Sequence, residues 1–277
     1  MTTNRNVEIL AIGNELLVGQ VLDTNSHWLI RNLTNLGAHL RRVMMLRDEY
    51  DEIEHALKDA VRRQPRLIIT TGGLGPTDDD MTLRAISRTF NLPLVLNDEA
   101  LEMVRKRYLH IASIRPGYSA ELNEARIKMA ILPHGAQAIG NPNGAAPAIA
   151  LDVNAHTTIV CLPGVPSEMK EIFAATLQPV LARTVGSGGY VERSIILDRG
   201  DESRIADHLQ ALQAEHPRVY IKSRGQTLPD LGPRLTVVIS SGGNDLGEVR
   251  DWVMQAERGA FSGLEALGYV IVKVIES

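Results

Sequence analysis

Short apolar runs alternate with segments of helical periodicity across residues 7–181, and this alternation limits the possible folds more than any other feature of the chain. Apolar runs at residues 7–12, 40–46 and 67–70 predict buried strands. Helical spacing follows each of them, at residues 25–36, 50–63 and 78–90. This order is typical of a mostly parallel sheet with helices on both faces. The sequence therefore predicts a three-layer α/β fold.

Three further segments extend this pattern to residue 181. A helix is predicted over residues 98–111, a hairpin over residues 149–153 and 158–162, and a helix over residues 167–181. Residues 184–190 contain three glycines and predict a linker. Strands and helices alternate again after it, which indicates a small α+β domain. We therefore predict two domains, residues 1–183 and residues 190–277.

The composition of the chain excludes several classes of protein. There are 29 Lys and Arg against 33 Asp and Glu, a formal net charge of −4, and the second domain is also acidic and lacks a GxxG loop between helices. Nucleic acid is therefore not expected as a partner. One cysteine, Cys161, excludes an internal disulfide and predicts a small core residue. The chain has no apolar run of membrane-spanning length and no secretory leader, so we expect no membrane association and a cytoplasmic protein.

The loops that follow the predicted strands carry the candidate chemistry, because ligands of an open parallel sheet bind at the carboxyl ends of its strands. Gly13, Asn14 and Glu15 follow the first strand, and Asp48 follows the second. The third strand leads into the glycine-rich segment 71–80. These loops are rich in glycine, hydroxyl and acidic side chains, and they are expected to meet at one edge of the sheet.

The glycine-rich loop predicts a phosphate or carboxylate cradle. Gly72, Gly73 and Gly75 permit positive φ and close approach of a ligand to the backbone, and a helix predicted from near Asp78 would direct its free N–H groups at the loop. The loop has neither a Walker A sequence nor a GxGxxG fingerprint. The alternative is a glycine turn in which Thr77 caps the helix and the acid three residues later completes a capping box.

The aspartates at positions 78–80 imply a cation, because a carboxylate repels a phosphate unless a positive ion lies between them. We therefore predict a divalent metal held by Asp48 and Asp80, with Asp79 beside them. Two alternatives stay open. In the first, Asp48 caps the helix over residues 50–63 instead of holding a metal. In the second, Glu15 is an exposed residue in the first turn of a helix.

Three motifs, in order, resemble those of the competence/damage-inducible protein A (CinA) family. Residues 71–82 (TGGLGPTDDDMT) resemble its TGGLGPTxDDxT signature. Residues 12–20, followed by Thr24 and Asn25, resemble its IGxELLxGx opening, and residues 162–169 resemble LPGVPxEM. The resemblance implies the molybdopterin-binding fold of molybdenum-cofactor biosynthesis proteins (MoaB and MogA). A KH-like domain would follow, starting at Gly200–Ser203 (GDES), with no nicotinamide-nucleotide amidase domain after it.

The resemblance also implies an activity. It predicts a metal-dependent hydrolase of nucleotide diphosphates, of the ADP-ribose pyrophosphatase type, acting on ADP-ribose, FAD or a related dinucleotide, with Mg²⁺ or Co²⁺, with K⁺, and as a homodimer. The alternative is a protein that binds molybdopterin or a nucleotide without turnover. Asp48 and Asp80 would be catalytic, and Asp48, Asp79 and Asp80 would hold the metal. The residues that would bind phosphate or nucleotide are Gly13, Asn14, Glu15, Thr71, Gly72, Gly73, Gly75, Thr77, Asn143, Gly144, Pro163, Gly164 and Pro166.

Two segments depart from the pattern of that family. Arg126 and Met129 stand where the family has an Asn-x-x-Gln pair. Ala145 and Ala148 stand where it has a threonine and a glycine. These departures remove amide and hydroxyl groups, and we expect them to change the substrate or to abolish turnover.

Overall fold

The computed structural model describes residues 4–199 and 201–276, which form two compact units. The first unit contains the chain up to Asn32 together with His39–Val185. The second contains Leu33–Ala38 and the chain from Gly186 onward. Among the described residues, no helix combines the length and apolar character that crossing a membrane requires.

The first unit is built on a six-stranded sheet whose central strands are parallel. The strands of this unit are β1 (Asn6–Ile12), β2 (His39–Leu46), β3 (Leu67–Thr71), β4 (Leu94–Leu96), β5 (Ile131–Pro133), β6 (Gln137–Ile139), β7 (Ala148–Asp152) and β8 (Thr158–Leu162). In the sheet, the order is β2-β1-β3-β8-β7-β6. Strand β1 is parallel to β2 and β3, β3 is parallel to β8, and β7 is antiparallel to both β8 and β6. A separate antiparallel pair is formed by β4 and β5. The mostly parallel sheet and the hairpin are confirmed.

Helices follow the strands of this sheet in the predicted alternation. The central strands β3 and β8 are buried along their whole length, as expected of strands covered on both faces. Ile53, Leu57 and Ala60 of the third helix recur at helical spacing and are buried in the same core. The helices are α1 (Asn14–Leu17), α2 (Thr24–Asn35), α3 (Tyr50–Arg62), α4 (Thr82–Phe90), α5 (Asp98–Ile114), α6 (Glu124–Lys128), α7 (Pro166–Glu171) and α8 (Gln178–Thr184).

Two helices differ from the sequence prediction for local reasons. The helix expected from Asp78 begins only at Thr82, because the preceding residues form a turn in which the Asp80 N–H donates to the Thr77 carbonyl (3.2 Å). The helix expected over residues 167–181 is interrupted by a π-helical turn, Ile172–Thr176. Pro179 is the second residue of the helical segment after it, and proline has no N–H to continue the earlier hydrogen-bond ladder.

The predicted start of α2 is also wrong by one residue. The sequence pattern predicts that Asn25 caps this helix, but the helix begins at Thr24 and Asn25 lies inside it. Its side-chain N–H instead donates to the Gly164 carbonyl at 2.7 Å. Asn25 therefore ties the start of α2 to the loop that follows β8.

The described residues of the second unit form a four-stranded antiparallel sheet packed with two helices. The elements are β9 (Gly189–Leu197), a 3₁₀ turn (Glu202–Arg204), α9 (Ala206–Glu215), β10 (Tyr220–Leu228), β11 (Gly232–Gly243), α10 (Leu246–Ala266) and β12 (Ile271–Glu276). The strand order is β10-β11-β9-β12, and the core is formed by the apolar side chains of the sheet and of α9 and α10. The predicted KH-like start includes Gly200, which lies outside the described residues. The KH-like assignment remains a prediction.

Near the end of the chain, the sequence pattern predicts a helix over residues 247–256, whereas α10 continues to Ala266. Gly259 and Gly263 weaken the helical signal of its second half, because glycine is a poor helix former. In the structure, a Cβ atom at either position would overlap a side chain of α9, Leu212 or His208. These glycines therefore allow the close approach of α10 and α9.

We predict that the Cys161 thiol is unreactive in the folded protein. It is fully buried in β8, and burial raises its pKa to about 12. At pH 8 the reactive thiolate would be about one ten-thousandth of the total. Native protein should therefore resist a thiol-specific chromogenic reagent at pH 8, while protein unfolded in guanidinium should react at its single cysteine. Rapid labelling of the native protein would contradict the buried position.

Candidate ligand-binding cleft

The carboxyl ends of β1, β2, β3 and β8 meet at a cleft of about 570 Å³, and all its lining residues belong to the first unit. This volume falls within the range of about 300–1,000 Å³ typical of small-molecule sites. Two loops approach each other closely at its floor, where Gly72 lies opposite Gly164. The cleft therefore lies where the sequence predicted that the candidate loops would converge.

The glycine loop is held in place by its own chain. The Gly72 N–H donates to the Leu162 carbonyl (3.0 Å), and the Thr82 hydroxyl donates to the Gly72 carbonyl (2.9 Å). Gly72 and Gly73 have φ of 100° and 67°, in the region that favours glycine, whereas Gly75 is not among the residues with positive φ. A Cβ at Gly72 would overlap the Ile12 carbonyl oxygen. Close packing against the end of β1 therefore requires this glycine.

The acidic turn after the glycine loop is organised by hydrogen bonds to Asp80 and Lys128. Asp80 Oδ2 accepts from the Thr77 N–H (2.9 Å) and from its hydroxyl (2.6 Å). Lys128 Nζ donates to the carbonyls of Thr77 and Asp80, the latter at 3.0 Å. The Thr77–Asp80 contact of the capping-box alternative is thus present, but it closes a turn, because α4 begins only at Thr82. The predicted arrangement of helix N–H groups directed at the loop from Asp78 is wrong.

Asp48 faces the same cleft and is linked to the loop after β1. Its Oδ2 accepts from the Asn14 N–H at 2.8 Å, and the N-cap position of α3 is Glu49, so Asp48 does not cap that helix. Burial raises the pKa of Asp48, and the charges of Glu15, Asp79 and Asp80 raise it further, against the lowering effect of the Asn14 hydrogen bond. The cleft therefore gathers carboxylates that repel one another.

Glu15 and Asp79 complete this acidic side of the cleft. Glu15 is an exposed residue in the first turn of α1, which was the alternative to a binding role for it. It also lines the cleft. The neighbouring Thr77 side chain and the Asp79 backbone N–H lower the pKa of Asp79. Among the described residues, no group of three or more His, Cys, Asp or Glu side chains is arranged to hold a metal ion by itself. An ion here would need further ligand atoms, from water or from a bound molecule.

Comparison with known proteins assigns the first unit to a protein family. Residues 8–183 match the family described as "Probable molybdopterin binding domain". The chain belongs to this family. It is 37% identical over 260 residues to a protein of Aeropyrum pernix, covering 94% of each chain, and 35% identical over 267 residues to a protein of Metallosphaera sedula, covering 96% of this chain and 97% of that one.

A solved structure is also similar to this chain. The CinA protein of Thermoplasma acidophilum, described as of unknown function, is 32% identical, with a TM-score of 0.57. The match covers 64% of this chain and 98% of that one. The resemblance to CinA proteins is therefore found in the structure as well as in the motifs.

The molybdopterin-binding domain brings most of the predicted residues to the cleft, and leaves six of them outside its lining. Asn14 contributes its backbone N–H to Asp48, and Asn143 contributes its carbonyl to Arg107 (2.5 Å). Gly144 lies against Glu168 and Asn141. The predicted residues that line the cleft are Gly13, Glu15, Asp48, Gly72, Gly73, Gly75, Asp79, Asp80, Pro163 and Gly164; those that do not are Asn14, Thr71, Thr77, Asn143, Gly144 and Pro166.

Several lining residues were missed as site residues by the sequence analysis. Glu168 accepts a hydrogen bond from Asn141 (2.7 Å) and was quoted only as part of a motif. Tyr108 lies on α5, which no motif marks. Met129 and Ala145 were singled out only as departures from the CinA pattern. Arg126, the other departure, does not line the cleft and instead lies over the Tyr108 ring, 3.8 Å from its centre.

Proposed function

We propose that the cleft binds a small molecule that carries both phosphate and a planar ring, either a pterin phosphate or a nucleotide. The observation that carries the proposal is the composition of one cleft. A rigid glycine loop and a set of carboxylates form one part of it, while Tyr108, Met129 and Ala145 form an apolar part. Membership of the molybdopterin-binding domain family supports a ligand of this class.

The carboxylates fit a divalent ion that a phosphate helps to hold. Oxygen donors suit Mg²⁺, which is commonly bound by one or two carboxylates, several waters and substrate phosphates. Asp48 and Asp80 are the residues that we propose to contact such an ion, with Asp79 beside them. It would neutralise the repulsion between the cleft and an anionic ligand. The cleft lining has neither histidine nor cysteine, so this donor set favours Mg²⁺ over Co²⁺. K⁺ and a homodimer remain predictions from the resemblance.

Hydrolysis of a nucleotide diphosphate is the second candidate function. The carboxylates at the cleft favour it, because a metal held by them could polarise a phosphoryl oxygen. The family assignment describes binding and names no hydrolysis. Binding without turnover is therefore the function that we propose first.

Calorimetric titration tests the proposal with three probes, AMP, ADP-ribose and a pterin diphosphate, each with Mg²⁺ and with a chelator. We expect saturable binding of at least one probe, at least tenfold tighter with Mg²⁺. Asp48→Asn keeps an oxygen that can accept from the Asn14 N–H, and it should remove most of the Mg²⁺ effect. Asp59→Asn is the matched control, because Asp59 is an exposed residue of α3 paired with Arg62 and lies outside the cleft lining.

Each result of this experiment separates the hypotheses. Chromatography of the ADP-ribose mixture detects AMP and ribose 5-phosphate if the chain hydrolyses its ligand, and their absence with binding intact supports the first candidate. Absence of saturable binding for all three probes would overturn the proposed function. Equal affinities with and without Mg²⁺ would overturn the bridging ion.

A further inference from the structure

One wall of the cleft has no charged side chain. Tyr108 of α5, Met129 at the end of α6, and Ala145 and Ala146 of the loop before β7 all line it. Tyr108 is the one aromatic side chain among the described residues that line the cleft. The acidic side chains Glu15, Asp48, Asp79 and Asp80 come instead from the loops after β1, β2 and β3. The apolar wall and these acidic loops are therefore contributed by different elements.

The apolar wall is fixed from behind by arginine side chains. The Arg126 guanidinium lies over the Tyr108 ring and donates to the carbonyls of Ser119 (2.7 Å) and Glu121 (2.6 Å). Arg107, the neighbour of Tyr108 on α5, donates to the Asn143 carbonyl, which holds the helix to the loop that carries Ala145. A ring that is already held in place loses little freedom when a ligand contacts it.

The side chains of the wall offer at most one hydrogen-bonding group, the Tyr108 hydroxyl, to the edge of a ring. Methionine and alanine have no strong donor or acceptor. The Arg126 guanidinium lies over the Tyr108 ring itself. Tyr108 and Met129 are 9% and 4% exposed, so what they present to the cleft is a small contact surface.

We propose that Tyr108, Met129, Ala145 and Ala146 form the subsite for the planar heterocycle of the ligand, and that this subsite recognises the ring by contact rather than by its hydrogen-bonding edge. The inference rests on the proposed function and deepens it. Contact with an aromatic side chain favours any flat ring, since every heterocycle has a π face. Discrimination between rings of similar size requires several hydrogen bonds to their edges, and these side chains supply at most one, from the Tyr108 hydroxyl. The subsite therefore requires a planar ring in the ligand but accepts several kinds of ring.

Titration with AMP, GMP and ribose 5-phosphate, all in Mg²⁺, tests this subsite. We expect the affinities of AMP and GMP to agree within about threefold, and ribose 5-phosphate, which lacks a ring, to bind at least tenfold more weakly. A difference of more than tenfold between AMP and GMP would overturn recognition by contact. Equal binding of ribose 5-phosphate and AMP would overturn the ring subsite while leaving the phosphate site intact. No binding of any probe would overturn the proposed function and this inference with it.

Two substitutions in the wall sharpen the test. Tyr108→Leu should weaken AMP about tenfold and leave ribose 5-phosphate within twofold, an asymmetry that a general loss of structure would not produce. Met129→Gln introduces an amide, and AMP and GMP should then differ by about 3- to 10-fold. Tyr50→Leu is the control, because Tyr50 also lies under an arginine, Arg88 at 4.7 Å, but is outside the cleft lining. Equal losses for AMP and ribose 5-phosphate in Tyr108→Leu would contradict the subsite.

Discussion

Gly72→Ala is expected to lower the free energy of unfolding by about 3–5 kcal/mol and to abolish ligand binding. The substitution combines two costs at one position. A φ of 100° strains any residue with a side chain, at about 1–3 kcal/mol, and the added Cβ would overlap the Ile12 carbonyl oxygen. Backbone atoms cannot turn aside as a flexible side chain can, so forcing the overlap apart costs about 1–3 kcal/mol more. The loop that carries the acidic turn would move with it.

Gly117→Ala separates the two costs. Gly117 has a φ of 83°, but nothing lies within 4 Å of the position that its Cβ would occupy. The free energy of unfolding of Gly117→Ala should therefore fall only by the cost of the strained φ, about 1–2 kcal/mol. Urea unfolding of both variants measures the difference, and titration with AMP measures binding. Equal losses of stability in the two variants would show that the contact with Ile12 is unimportant.

The glycine loop also illustrates what a sequence can and cannot predict. Its position after a buried strand and the positive φ of Gly72 and Gly73 follow from the spacing of glycines and apolar runs. The reason for the glycines does not follow from it. In the structure, the missing Cβ atom of Gly72 would meet Ile12, 60 positions away, and that of Gly73 would meet Thr82, 9 positions away. Packing within the chain, rather than room for a ligand, accounts for these two glycines.

The mostly parallel sheet and its carboxyl edge were predictable, whereas the partners of the charged residues were not. Asp48 accepts from a backbone N–H 34 positions away, and Lys128 reaches a turn 48 positions away. Such contacts depend on how the strands and helices are placed together, and no local pattern encodes them. The same is true of Tyr108, whose place at the cleft follows from the position of α5. The sequence therefore predicted the loops of the site better than its apolar wall.

The second large effect is expected at the ion pair between Glu8 and Arg63, which joins β1 to the end of α3. Arg63→Met should lower the free energy of unfolding by about 3–5 kcal/mol. Glu8 is 2% exposed, and the guanidinium contacts both of its oxygens, Nε at 2.7 Å and Nη2 at 2.6 Å. These hydrogen bonds raise the pKa of Arg63. Removing the arginine leaves a carboxylate without its partner in the interior, and an unpaired buried charge is strongly destabilising.

Two further variants decide whether the pair or the single charge matters. Arg62→Met removes the adjacent arginine, which is exposed and paired with Asp59 at 3.0 Å, and exposed pairs contribute about 0–1 kcal/mol. Glu8→Leu combined with Arg63→Met removes both charges, and it should recover most of the stability, because an apolar pair of similar volume often replaces a buried ion pair without loss. Urea unfolding midpoints of the three variants give the comparison. If Arg63→Met matches Arg62→Met, or if the double variant is as unstable as Arg63→Met, then desolvation of the Glu8 carboxylate is not what makes this contact necessary.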